Sequence, residues 1–145
     1  LTEKRNYFRI PLNHPLDATM TILKIKGEYV DLGKTKILIE DIGLGGIRFI
    51  STLKLPVLHD VILYFETEIL GRTISPVGHI VWKHDIDDEL SQYGVEFTIE
   101  ETHRDEIAHT LNQFAVKLRN RLGSVPPNTR FVYEDRKTYL MKLNV

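Results

Sequence analysis

An antiparallel β-barrel with a C-terminal α-helix is the fold this sequence predicts. Between Leu16 and Ile99 short apolar stretches alternate with polar residues and are separated by turns rich in Gly, Pro and Asp, with no helical period among them. At Thr102 the pattern changes once, to apolar residues at helical spacing. The chain has 145 residues, the length of one domain with a tail, and its 42% hydrophobic and 27% charged content is that of a globular protein.

Residues 1–13 begin polar and basic and end in Phe8 to Leu12, where Pro11 biases Ile10 toward extended geometry. Loose alternation over Leu16, Ala18, Met20 and Ile22 predicts a half-buried strand running to Ile25, turned by Lys26, Gly27 and Glu28. Tyr29 to Leu32 and Thr35 to Ile42 follow as extended segments around a turn at Gly33 and Lys34, with Ile37, Leu38 and Ile39 as the most buried part. Ile47, Phe49 and Ser51 continue on the far side of a glycine-rich junction, and Pro56 ends the regular pairing. Asp60 to Glu66 and Ile69 to Lys83 form a longer pair turned near Gly71 and bent at Pro76 and Gly78. Asp85 to Glu89 is an acidic tip, and Gln92 to Ile99 the last strand. Thr102 and Asp105 open the helix, whose stripe is Ile107, Leu111, Phe114, Ala115, Leu118 and Leu122; Gly123, Pro126 and Pro127 stop it. The remainder carries Phe131, Tyr133, Tyr139, Leu140, Met141 and Leu143, too apolar for a disordered tail, and so either folds back or docks on a partner.

Composition excludes several functions. The chain has no cysteine, hence no thiolate chemistry, disulfide or Cys-based zinc site, and this accords with a reducing, cytoplasmic setting. No apolar run reaches the roughly 18 residues of a membrane helix, and no secretory signal opens the chain. A net charge of −1 argues against a nucleic-acid polymer as partner, including the single strands that other barrels bind. A chain that opens on Leu1 rather than Met reads as a fragment. The six histidines have no metal-ligand spacing, the Asp85 to Glu89 tip lacks the glycine and terminal Glu of a calcium loop, and no P-loop or nucleophile elbow occurs. No catalytic residue, cofactor or metal is therefore expected.

The informative stretch is Asp41-Ile42-Gly43-Leu44-Gly45-Gly46, which sets a carboxylate beside three glycines at the junction of two apolar runs. By itself this is an ordinary hairpin or a close-approach site for a ligand. A second cluster, Lys4, Arg5 and Arg9, lies upstream and can hold a small anion. Together, Arg5-Asn6-Tyr7-Phe8-Arg9 and the stretch from Asp41 to Gly46 resemble the RxxxR and D/N-x-S-x-x-G motifs of the PilZ domain family, bacterial receptors for cyclic di-GMP. Gly78 to Trp82, Tyr93 to Phe97 and the closing helix resemble later parts of the family, so the likeness runs from about Glu3 to Leu122. It implies a PilZ-like domain over residues 1–123, with a ligand arm at 1–12, barrel at 13–100 and helix at 102–122, followed by an extension over 124–145.

The resemblance assigns contact with cyclic di-GMP to Arg5, Arg9, Asp41, Gly43 and Gly46, with Lys4 and Trp82 as further candidates. Arginine suits both halves of that ligand: its fork engages phosphate oxygens in pairs and matches the O6 and N7 acceptors of guanine. Asp41 can accept from the guanine N1 and N2 donors or fix an arginine, and Gly46 leaves room for the ring. Gly43 departs from the motif, since it stands where the family has Ser and offers only backbone. Trp82 is either a core side chain or a platform on which a base stacks. The implied function is a receptor that changes its contacts with an effector protein or upstream domain on binding cyclic di-GMP. The alternative is a PilZ-type interaction module that has lost the nucleotide, and Gly43 is what supports it.

Overall fold

The computed structural model describes residues 9–120 and 125–143. It comprises β1 (Arg9–Ile25), β2 (Glu28–Tyr29), β3 (Lys34–Gly43), β4 (Gly46–Ser51), β5 (Val61–Ile69), β6 (Arg72–Ile74), β7 (Val77–Asp85), β8 (Ser91–Phe97), α1 (Glu101–Asn120) and α2 (Arg136–Leu143). All the pairings are antiparallel. The strands run in the order β2-β1-β3-β4-β8-β7-β5-β6, and a further pairing of β1 with β5 closes six of them into a barrel. Closure depends on β1, which is long enough to pair with β3 on one side and β5 on the other. The fold is thus the antiparallel barrel with a C-terminal helix that the alternation predicts.

The barrel interior is filled by every second residue of its strands, among them Met20, Ile37, Ile39, Ile47, Phe49, Leu63, Phe65 and Tyr93. Phe49 stacks on Tyr93 with ring centroids 5.1 Å apart and meets Phe65 edge-on at 5.5 Å. The helix α1 closes one end of the barrel with Ile107, Leu111 and Phe114, and Ala115 and Leu118 pack beside them. Tyr93 is also tied at its hydroxyl, which donates to the Leu53 carbonyl at 2.6 Å and accepts from the Leu55 amide at 2.8 Å. Tyr93→Phe leaves that carbonyl and amide without their partner inside the fold, so it is expected to destabilise by about 1–3 kcal/mol while the ring packing persists. Chemical denaturation checks this; an unchanged midpoint would show that the 53–55 loop is held by something else.

Several boundaries differ from the sequence reading. Arg9 to Leu12 belong to β1, and Arg9, Ile10 and Pro11 pair with β3, so strand begins earlier than residue 13. Lys34 is strand rather than turn, and the last strand stops at Phe97. The segment from Ile69 to Lys83 is two strands, because Pro76 and its surroundings leave the ladder while the Pro76 carbonyl still accepts the Phe65 amide at 3.0 Å. Helix α1 begins at Glu101, with the His103 and Arg104 amides bonding the Glu100 carbonyl, so Thr102 lies inside it. The acidic Glu100 suits the positive end of the helix dipole. The expected helix end at Leu122 and Gly123 lies outside the described residues.

The segment after α1 folds back on the barrel. The Asp17 amide bonds the Arg130 carbonyl at 2.8 Å, the Val132 amide bonds the Pro15 carbonyl at 2.9 Å, and α2 follows. Asp135 caps α2, accepting from both the amide and the hydroxyl of Thr138 at 3.0 Å, and the amide bond holds its carboxyl below the usual range. Val132 and Leu140 form a second core with Leu38, Ile50 and Leu90 on the outer side of the barrel wall. Residues 37–39 are consequently apolar on both faces, which explains the unbroken run there.

Candidate functional site

Two transverse rows on the outer face of the barrel wall bring most of the sequence candidates together. Successive register partners Pro11, Asp41, Arg48, Gly94 and Trp82 form one row across β1, β3, β4, β8 and β7. The neighbouring row pairs Arg9 with Gly43 and links Gly46, Glu96 and His79. Glycines occupy the middle of the patch, and the cationic and aromatic side chains stand around them.

Strand irregularities aim these side chains. The β3–β4 register shifts between Ile39 and Asp41, so Glu40 is an extra residue. Without that bulge, the alternation that buries Ile37 and Ile39 would turn Asp41 inward; with it, Ile42 faces the core and Asp41 faces out. The β7–β8 register shifts in the same way between Ile80 and Trp82. Ile80 is buried, Val81 is the extra residue, and Trp82 comes to the outside with 41% of its surface exposed. Its indole covers Gly94: a Cβ there would lie 2.6 Å from Cδ1 and closer still to Nε1 and Cε2. Trp82 is therefore no core residue, and its free face points to solvent.

Asp41 is the electrostatic centre of the patch. Arg9 donates to its Oδ1 from Nη2 at 2.6 Å and from Nε at 3.1 Å. Arg48 Nε approaches Oδ2 at 3.1 Å and Glu40 Oε1 at 3.9 Å. The Arg48 Nε is buried, yet makes no well-directed hydrogen bond despite that proximity. Two guanidiniums thus meet on one carboxylate, and one of them, Arg48, is shared with Glu40. Glu40 is nearly buried and accepts from Gln92 Nε2 at 2.7 Å and from Arg136 of α2. His79 Nε2 lies 3.5 Å from Glu96 at the edge of the patch.

Gly46 also meets a requirement of the strand packing. A Cβ on it would fall inside the Val95 carbonyl oxygen and 3.3 Å from Arg9 Nη1, so the absent side chain admits the neighbouring strand and the arginine. Gly43 ends β3 and is not at positive φ. Lys4 and Arg5 lie outside the described residues. Arg48 was absent from the sequence candidates, although its place two residues after Gly46 on a strand returns it to the same face. Among the described residues no cluster of three or more His, Asp or Glu is placed to hold a metal, and no helix is long and apolar enough to cross a membrane.

A helix-capped antiparallel barrel with arginines, a carboxylate and glycines on one outer face has the makings of a ligand-binding domain. A family model for the PilZ domain matches residues 3–113, and the chain belongs to that family. Its fold is similar to that of the Bacillus subtilis inhibitor of motility MotI/DgrA, at 15% identity and a TM-score of 0.58, covering 81% of this chain and 53% of that one. It is similar to Escherichia coli YcgR in complex with c-di-GMP, at 12% identity and a TM-score of 0.56, covering 81% and 48%. The K. pneumonia MrkH-c-di-GMP complex is similar at 16% identity and a TM-score of 0.57, covering 81% and 54%. The chain thus spans about half the length of these three proteins. No curated protein sequence matches it significantly.

Proposed function

We propose that this chain is a cyclic di-GMP receptor domain, acting without chemistry of its own and passing the bound state to an effector protein or neighbouring domain. The observation that carries this is the Asp41 carboxylate holding Arg9 on one oxygen and Arg48 on the other, beside a floor of glycines. Such an arrangement presents guanidinium donors to a phosphate or to guanine O6 and N7, while Asp41 can accept from guanine N1 and N2. Trp82, exposed above Gly94, offers a base a stacking face worth about 1–3 kcal/mol. The motif assigns Arg5, with Lys4 beside it, to the same ligand. The YcgR and MrkH complexes with c-di-GMP support the choice of ligand. The cysteine-free composition supports a cytoplasmic setting.

Isothermal titration with cyclic di-GMP tests this reading. Saturable binding is expected, and none at high micromolar ligand would favour the interaction module instead. Gly43 is the observation behind that second reading, since the family's serine hydroxyl is missing. Gly43→Ser refines the test. Because Gly43 is in strand geometry without positive φ, its backbone is compatible with a side chain, and one added hydrogen bond should tighten binding by about 0.5–1.5 kcal/mol with the melting temperature unchanged. Weaker binding at unchanged stability would show that position 43 is not the equivalent of the family's serine.

A further inference from the structure

We propose that helix α2 is the element through which occupancy of this site is read out, tied to it by the continuous chain Arg136, Glu40, Arg48, Asp41, Arg9. The inference rests on the reading of the patch as a dianion site. The bulge at Glu40 makes the chain possible, because it brings two consecutive carboxylates within reach of one guanidinium. Arg48 lies between them, its Nε nearer Asp41 than Glu40 and without a well-directed hydrogen bond, so a ligand anion competes with both carboxylates for it. Glu40 is the costly member: its side chain is only 9% exposed, and a desolvated carboxylate needs cationic and hydrogen-bonding partners. It has Gln92, the more distant Arg48 and Arg136.

A phosphate that engages Arg48 takes that cation from Glu40 and leaves Arg136 as the main neutralising partner, so ligand strengthens the hold on α2. Reciprocally, Arg136 on Glu40 releases Arg48 for the ligand. The other anchors of α2 and its approach lie elsewhere. Lys137 reaches Asp87 and Glu89 at 3.0 and 2.9 Å, and Arg130 and the Tyr139 hydroxyl both reach the buried Asp17 at 2.9 Å. What α2 covers matters, since Leu38, Ile50 and Leu90 are sealed by Val132 and Leu140. Ligand occupancy would therefore set how often this apolar wall is bared.

The test is hydrogen exchange over residues 136–143 of the full chain, with and without cyclic di-GMP, alongside titrations of the parent, Arg136→Ala, Arg136→Lys and Lys137→Ala. Ligand should slow exchange in α2 of the parent. Arg136→Ala should bind about fivefold or more weakly and lose that ligand-dependent slowing. Arg136→Lys, which retains the charge and guards against misfolding of the alanine variant, should fall between the two. Lys137→Ala should exchange faster in α2 yet still respond to ligand. Ligand binding by the parent with unchanged α2 exchange, or parent-like affinity in Arg136→Ala, overturns the coupling and leaves the receptor reading intact. Absence of binding by the parent overturns both.

Discussion

Gly46→Ala is expected to destabilise the barrel by about 3 kcal/mol, the upper end for an overpacked site, and to lower the melting temperature by about 10 °C. The added methyl would collide with the Val95 carbonyl oxygen and lie 3.1 Å from its carbon. Both belong to the backbone of β8, so no rotamer change relieves the clash. β4 and β8 must separate along a ladder that runs from Gly46 and Glu96 to Ser51 and Ser91. The same methyl comes 3.3 Å from Arg9 Nη1, so the arginine is displaced as well. Thermal melts of the parent and variant decide the matter. A shift within a couple of degrees would mean that the strands part easily, and that Gly46 is required by something other than their close approach.

The barrel class, most of the strands and the closing helix were legible because most strands keep strict alternation, as in Val61, Leu63 and Phe65, and because the change to helical spacing near residue 102 is sharp. The orientation of the site was legible only in part. In β3 the core positions run Ile37, Ile39, Ile42, and the lengthened last interval is the trace of the bulge that turns Asp41 outward. In β7 the residues around the bulge are Ile80, Val81 and Trp82, all apolar, so no break in phase is visible and alternation alone sends Trp82 to the core. Arg48 was readable from its position two residues beyond Gly46. Helix α2 has a weak apolar stripe, with Leu140 its buried residue, and its best sequence signal was the capping pair Asp135 and Thr138. The second core was hidden because Leu38 and Ile50 belong to a wall covered by residues far along the chain, a tertiary fact that no local period records.

Arg9→Ala should weaken cyclic di-GMP binding tenfold or more, since charge-assisted hydrogen bonds to a phosphate contribute roughly 1.5–3 kcal/mol. Arg9→Lys should be nearly as damaging. In the free protein Arg9 rests Nε and Nη2 on a single Asp41 oxygen and leaves Nη1 beside Gly46, so one rigid fork is anchored at one edge while it offers donors at the other. An ammonium has one nitrogen and must choose between Asp41 and the ligand. Stability provides the control. The Arg9 side chain is 41% exposed, and a pair that open to solvent adds at most about 1 kcal/mol to the fold, so both variants should melt close to the parent. Affinity and melting temperature measured together separate the cases. If Arg9→Lys binds as tightly as the parent, recognition at this edge is by charge alone and the fork geometry is not what selects the ligand. If Arg9→Ala binds as tightly, Arg9 only braces Asp41, and the contacts with the anion come from Arg48 and the residues preceding β1.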